Sequence, residues 1–158
     1  MQTEGLAALQ ELVNDGENKA LVISATGTGK TYLSAFFVRN LKARRILFVV
    51  HRERIARQAM ESFRHVLGEG KTYGLYIGAQ SDTQSDFIFS TVQTLSRQDR
   101  LQRFSPEDFD CIIVDESHRA GANSYTRFLS HFQAKFLLGM TATPERTDGL
   151  YIFPPFDH

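Results

Sequence analysis

The chain has 158 residues, 42% of them apolar and 13 of them Phe, with 18 Lys and Arg balanced by 18 Asp and Glu. That length suits one ordinary domain able to bury a core without staples, so a single domain over residues 1–158 is expected. The zero net charge excludes an overall basic field as a sign of nucleic-acid binding, and the lone Cys111, inside the run CIIV, excludes a disulfide within the chain and suits a buried packing role.

The opening MQTEGLAALQELVNDGENKA holds no apolar core of signal-peptide type, and no apolar stretch approaches the roughly 20 residues of a membrane span. A soluble, cytoplasmic protein in a reducing compartment is expected. Apolar runs then recur as ALVIS at 20–24, ILFVV at 46–50, YGLYI at 73–77, DFIFS at 86–90, CIIV at 111–114 and FLLGM at 136–140. Being continuous rather than alternating, they are predicted to be strands buried on both faces of a parallel sheet. Helices are expected between them. The clearest covers 53–67, where Ile55, Ala59, Met60, Phe63, Val66 and Leu67 form one apolar stripe. GAQSDTQS at 78–85 reads as a surface connection, and LYIFPPFDH at 150–158, with its two prolines, as an exit. Alternation of this kind implies right-handed crossovers and an α/β layer architecture. Between Arg39 and Arg64 eight basic residues (Arg39, Lys42, Arg44, Arg45, Arg52, Arg54, Arg57 and Arg64) face only Glu53 and Glu61, a local charge of +6, whereas residues 1–18 carry −4. A solvated helix face and a phosphate-binding surface both account for such a run.

Five polar segments follow five of these runs. The first is Ala25-Thr26-Gly27-Thr28-Gly29-Lys30-Thr31, at a predicted strand-to-helix junction. Its glycines let backbone N–H groups turn toward phosphate oxygens, and the helix N-terminus adds partial positive charge. Lys30 suits the β and γ phosphates, and the Thr31 hydroxyl suits Mg²⁺. The general pattern has its first glycine five residues before Gly29, and Ser24 stands there instead, so a Gly-rich turn without a ligand is the alternative. The second segment is Val114-Asp115-Glu116-Ser117-His118. Phosphoryl transfer needs one acidic group to hold Mg²⁺ and another to orient water; Asp115 suits the first role and Glu116 the second, against a solvated acidic turn. No H-E-x-x-H zinc spacing and no G-x-S-x-G elbow is present. His51-Arg52-Glu53-Arg54, Ser90-Thr91-Val92-Gln93-Thr94 and Thr141-Ala142-Thr143-Pro144-Glu145-Arg146 complete the set. In a parallel sheet all five would converge on the carboxyl edge, where open α/β folds bind ligands.

In order and wording these segments resemble the superfamily-two helicases and translocases, in particular the branch of the type III restriction enzyme res (helicase) subunits. ATGTGKT is similar to their first motif, VVHRERIARQ to motif Ia, STVQTL to motif Ib, VDESHRA to motif II and GMTATPERTDG to motif III. DESH in place of DEAD, and TATPER in place of the SAT triplet, point to the DNA-directed restriction and repair branch rather than to DEAD-box RNA helicases. The resemblance implies a P-loop NTPase: a RecA-like, three-layer α/β/α domain with a mainly parallel central sheet, using ATP and Mg²⁺. It assigns Thr26, Gly27, Thr28, Gly29, Lys30 and Thr31 to the phosphates, Thr31 and Asp115 to Mg²⁺, and Glu116 to activation of water. It further implies that His118, Thr141 and Thr143 couple nucleotide state to nucleic acid, and that Arg52, Thr91 and Gln93 lie near a strand backbone. Gln2, 28 residues before Lys30, would read the adenine edge. The implied partners are DNA rather than RNA and a second RecA-like domain, whose motifs IV to VI and arginine finger have no counterpart before His158. That finger is worth roughly 10³ to 10⁵ in turnover in related systems, so the chain alone is expected to bind ATP but hydrolyse it very slowly. Two rival readings stand beside the motor. A small-molecule kinase or unrelated P-loop NTPase leaves VDESH and TATPER unexplained, and a nucleotide-gated binding module differs from a motor in lacking turnover.

Overall fold

A strand made only of apolar residues is stable where both of its faces are covered, and the computed structural model meets that condition along Ile46–Val50, Phe87–Thr91 and Cys111–Asp115, where every residue is buried. It describes residues 2–16, 18–24, 27–115, 122–142 and 150–153. In chain order these form α1 (Gln2–Asn14), β1 (Lys19–Ser24), α2 (Gly27–Leu41), β2 (Ile46–Val50), α3 (Glu53–Leu67), β3 (Tyr73–Tyr76), β4 (Phe87–Thr91), the short helices α4 (Val92–Leu95) and α5 (Gln98–Leu101), β5 (Cys111–Asp115), α6 (Ala122–His131), β6 (Phe136–Ala142) and β7 (Leu150–Phe153). The seven described strands make one sheet in the order β3-β4-β2-β5-β6-β1-β7. Pairing is parallel from β3 through β1, and β7 alone runs antiparallel, against β1. This is a RecA-like α/β domain.

Successive residues of a strand serve opposite cores, as the pleat dictates. Ile46, Phe48 and Val50 of β2, with Cys111 and Ile113 of β5, join the core that contains Phe37 of α2 and Phe63 of α3. Leu47, Val49, Ile112 and Val114 instead join Leu95, Leu101, Phe104, Phe109, Phe128 and Phe132. Each fully buried Phe contributes about 1.5–3 kcal/mol by leaving water. Phe63 packs edge-on against Phe48, Phe87 and Phe89, with ring centroids 5.4, 6.1 and 5.3 Å away. Burial pushes the Cys111 thiol well above its usual range, with the nearby Asp110 charge adding to the effect, so this group is a neutral packing residue.

The helix expected over 53–67 is α3, with those bounds. Ala56, Ala59 and Phe63 form its buried centre, while Ile55, Met60, Val66 and Leu67 pack at the margin. Ala56 belongs to the stripe although its small side chain carries little periodic signal. The last described element departs from the sequence reading. Residues 150–153, which the sequence places in an exit, pair with β1 from Leu21↔Phe153 to Ser24↔Leu150. A four-residue antiparallel edge strand needs no crossover helix to announce it, and the prolines that follow mask it.

The basic run divides between opposite ends of the sheet. Lys42, Arg44 and Arg45 precede β2 at the amino edge. There the backbone amides of Arg44 and Arg45 donate to Asp110 Oδ2 at 2.7 and 3.4 Å. The Arg45 guanidinium lies 4.9 Å over the Phe109 ring and donates to Thr83 O and Ser85 O. These groups stitch strands together and face away from the carboxyl edge. Arg52, Arg54 and Arg57 lie exposed at the other end, around the start of α3. No helix among the described residues is long and apolar enough to cross a membrane.

The connection 77–86 protects the free edge of β3. It turns at 77–80, where Ile77 N donates to Gln80 O at 2.9 Å, then runs back beside β3 through the Tyr76↔Ser81 bridge and Asp82 N to Leu75 O at 3.1 Å. Asp82 organises this return by accepting from Gln84 N, Ser85 N and Ser85 Oγ. Desolvation raises its carboxyl pKa, but those hydrogen bonds and the Arg45 charge outweigh it and hold the group below its ordinary value. The stability it confers is therefore present above the unfolded-state pKa and is lost as pH falls through the depressed folded value. Asp82 sits directly over Gly74, where an added Cβ would lie 2.8 Å from Asp82 Cβ and closer still to the carboxyl group. Gly74→Ala is expected to displace the return segment and cost about 1–3 kcal/mol by chemical denaturation, with a smaller loss at acid pH where Asp82 is already protonated. A stability equal to that of the unsubstituted protein would show that the segment moves without cost.

Candidate functional site

The carboxyl ends of β1, β2, β4, β5 and β6 share one edge of the sheet, because these strands are mutually parallel. β1 and β5 are separated by β6, so their ends stand about 10 Å apart. The chain spans that gap from both sides. After β1 it turns into α2, whose first five residues are Gly27, Thr28, Gly29, Lys30 and Thr31. Asp115 is the last residue of β5. Lys30 Nζ and Asp115 Oδ1 meet at 3.0 Å, with the side chains 0% and 8% exposed. Farther along α2, Ser34 Oγ donates to Thr31 O at 2.7 Å, anchoring the turn that carries Lys30.

A buried ion pair between residues 85 apart is a weak way to gain stability, since desolving two charges offsets most of their attraction. Such a pair is informative about chemistry instead. It stores a cation and a hard carboxylate oxygen at a helix N-terminus, the donor set that a polyphosphate with a divalent cation requires. Ser24, where the phosphate-loop pattern has glycine, is the final residue of β1, paired with Ala142 on one side and Leu150 on the other. A strand position of this kind accepts any residue.

A cleft of about 360 Å³ opens elsewhere on the same edge, lined by His51, Glu53, Gly78, Thr91, Gln93, Thr94, Arg97 and Arg100. It lies over the ends of β2 and β4 and beside the start of α3. Thr91 is 4% exposed, and its hydroxyl caps α4, accepting from Thr94 N at 3.3 Å and meeting Thr94 Oγ1 at 2.8 Å. Gln93 is exposed and lines the opening. Arg52 is the exposed N-cap residue of α3 and makes no side-chain cap. It stands next to the lining residues His51 and Glu53.

The sequence-predicted residues thus fall into three groups. Lys30 and Asp115 are in direct contact, with Gly27, Thr28, Gly29 and Thr31 in the same helical turn and its continuation. Thr91 and Gln93 line the cleft with Arg52 beside it. Gln2 begins α1, and Thr141 lies opposite Ile23 of β1 on β6, the strand between β1 and β5. Thr26, Glu116, His118 and Thr143 lie outside the described residues. Among the described residues no cluster of three or more His, Cys, Asp or Glu could hold a metal. A divalent ion here would share Asp115 with ligand oxygens, as Mg²⁺ prefers. Gly78, Arg97 and Arg100 were not legible as site residues. The two arginines follow STVQTL closely in sequence, and that proximity was the available signal.

A family model of the type III restriction enzyme res subunit matches residues 1–146. The candidate mitochondrial ATP-dependent helicase irc3 of Schizosaccharomyces pombe is 32% identical over 160 residues, covering 94% of this chain and 26% of that protein. An Escherichia coli relative, the type I restriction enzyme EcoAI endonuclease subunit, is 28% identical over 157 residues, covering 92% of this chain and 19% of its own. The chain therefore spans about a quarter or less of the length of these curated relatives. Among solved structures, the Pyrococcus furiosus Hef helicase domain superposes with a TM-score of 0.72 at 26% identity, covering 92% of this chain and 33% of that one. The UvsW helicase of bacteriophage T4 shares the fold, with a TM-score of 0.66 at 21% identity over 79% of this chain and 46% of that one.

Because Lys30 and Asp115 are buried together, truncating either leaves a charge without its direct partner. Lys30→Ala and Asp115→Ala are each expected to destabilise the fold, and the double variant by less than their sum, with a coupling of about 1–3 kcal/mol in a denaturation cycle. Additive losses would show that the two groups are energetically independent.

Proposed function

The chain belongs to the family of type III restriction enzyme res subunits, and from that membership we propose that it is the nucleotide-binding half of an ATP-dependent helicase or translocase acting on nucleic acid, DNA rather than RNA. The observation that carries this reading is the Lys30–Asp115 pair, set on the same sheet edge as a cleft lined by His51, Arg97 and Arg100. A kinase of small molecules needs an enclosed acceptor pocket beside its phosphate site. The cleft here is instead open and rimmed with cations, with the exposed Arg52, Arg54 and Arg57 close by.

In this reading Lys30 releases Asp115 and turns to the β and γ phosphates, while backbone N–H groups from Thr26 through Gly29 cradle the same oxygens. Asp115 and the Thr31 hydroxyl would hold Mg²⁺, which would neutralise charge developing on the phosphoryl oxygens. Glu116 takes the proton of the attacking water, and Gln2 selects adenine. Thr141, on the strand between the two halves of the site, with His118 and Thr143, relays nucleotide state toward the cleft. Arg52 and Gln93 touch the strand backbone, and Thr91 shapes the cleft by capping α4. Contacts of this type read phosphate and sugar rather than base sequence, and they weaken steeply with salt. A second RecA-like domain supplies the arginine finger that completes turnover.

ATP turnover with and without single- and double-stranded DNA tests this, on the 158-residue chain and on a protein that joins it to a second RecA-like domain. Turnover that needs the second domain, rises with DNA and disappears in Glu116→Gln is expected. ATP binding without turnover in either form would favour a nucleotide-gated module, and robust DNA-stimulated turnover by the chain alone would contradict the half-site reading.

A further inference from the structure

The wall of the cleft formed by the turn 77–80 has few means of support within itself. Ile77 and Gln80 exchange backbone hydrogen bonds at 2.9 and 3.3 Å, and Gly78 and Gln80 are exposed. What reaches it from outside is Arg100, at the end of α5. Arg100 Nη2 donates to Ile77 O at 2.6 Å and to Gln80 O at 3.3 Å, clamping both ends of the turn. The guanidinium lies 4.4 Å over the ring of Tyr76, which is fully buried. In return, Tyr76 Oη donates to Arg100 O at 2.6 Å, fixing the helix that carries the arginine. Tyr76 is itself held between Phe104, 4.9 Å away by ring centroids, and its own strand, where Ser90 Oγ of β4 donates to Tyr76 O.

Arg97, on the same rim, is arranged differently. It is exposed, and it pairs with Asp99 at 3.4 Å, with both side chains 68% exposed. Such a pair contributes little and exchanges readily for a phosphate. Arg100 has no such freedom: Nη2 is committed to two carbonyls, and Nε is shielded from solvent with no acceptor among the described residues. An arginine used this way acts through its planar fork and its stacking face, which lysine cannot reproduce.

We propose that Arg100 is a positioning residue for nucleic-acid binding: clamped on Tyr76, it holds the Ile77–Gln80 turn as the wall against which a phosphodiester backbone lies, while Arg97 meets the phosphate itself. The inference rests on the reading of the cleft as a nucleic-acid site. It separates two arginines, three residues apart, by the way each affects binding. A charge that neutralises one phosphate contributes about 0.9 to the slope of log affinity against log salt, somewhat less for a single strand. A wall that only orients the strand leaves that count intact.

The test is binding of fluorescent oligothymidylate by the unsubstituted protein and by Arg97→Ala, Arg100→Ala and Arg100→Lys, measured across a salt series, with binding of an ATP analogue as the check on folding. Arg97→Ala should lower the salt slope by close to one contact. Arg100→Lys should weaken binding by about tenfold, as loss of a charge-assisted hydrogen bond implies, with the slope and nucleotide binding unchanged. Arg100→Ala should behave like Arg100→Lys. If lysine restores full affinity, or if Arg100→Ala removes a contact from the slope, Arg100 is a direct phosphate ligand and the positioning role is wrong. If the unsubstituted protein binds no oligonucleotide while still binding nucleotide, the reading of the cleft fails and this inference with it. Weak binding confined to the Arg100 variants leaves that reading standing.

Discussion

Coverage of both faces of a parallel sheet is the constraint on which the rest of this molecule depends. Since β2 and β5 place alternate residues in two separate cores, neither strand can spare a polar side chain along its length. The polar residues are therefore displaced to the strand ends. Parallel pairing brings those ends to one edge, and the order β5-β6-β1 sets the strand that ends in Asp115 and the strand that leads to Lys30 a fixed distance apart. The chemistry is thus a consequence of packing: where the apolar run stops, the residue that follows is placed on the working edge.

The Lys30–Asp115 pair shows how that placement is used. Its 0% exposed ammonium and nearly buried carboxylate are held by elements far apart in sequence, α2 and β5, each anchored in the core. Burying two charges is costly, and their mutual attraction offsets part of that cost. A polyphosphate with its metal would offer Lys30 an anion and Asp115 a cation at once. The cleft beside β4 is built on another principle. Its rim carries cations that serve as supports or as free arms according to what lies beneath them, as the contrast between Arg100 over Tyr76 and exposed Arg97 shows.

Much of this was legible from residues alone. The six parallel strands appeared as continuous apolar runs because burial on two faces leaves no alternation to obscure them, and α3 appeared because Ile55, Ala59, Met60 and Phe63 repeat at helical spacing. Lys30 and Asp115 were singled out by their places at a predicted helix start and a strand end, and the structure brings the two into contact. The strand Leu150–Phe153 was not, since four residues before two prolines carry neither length nor period. Nor was the division of the basic run: charge counting cannot tell that Arg45 lies at the amino edge, over Phe109, while Arg52 lies at the carboxyl edge. The role of Gly74, beneath Asp82, and of Arg100, over Tyr76, depends on contacts between segments that no local pattern records.

Calorimetric titration of ATP into the protein, with and without Mg²⁺, decides whether the Lys30–Asp115 pair belongs to a nucleotide site. Binding that Mg²⁺ strengthens and that falls at least about tenfold, roughly 1.4 kcal/mol, in a folded Lys30→Ala variant is expected. Equal affinity in that variant, or indifference to Mg²⁺, would contradict it and leave the buried pair as a structural feature of the sheet edge.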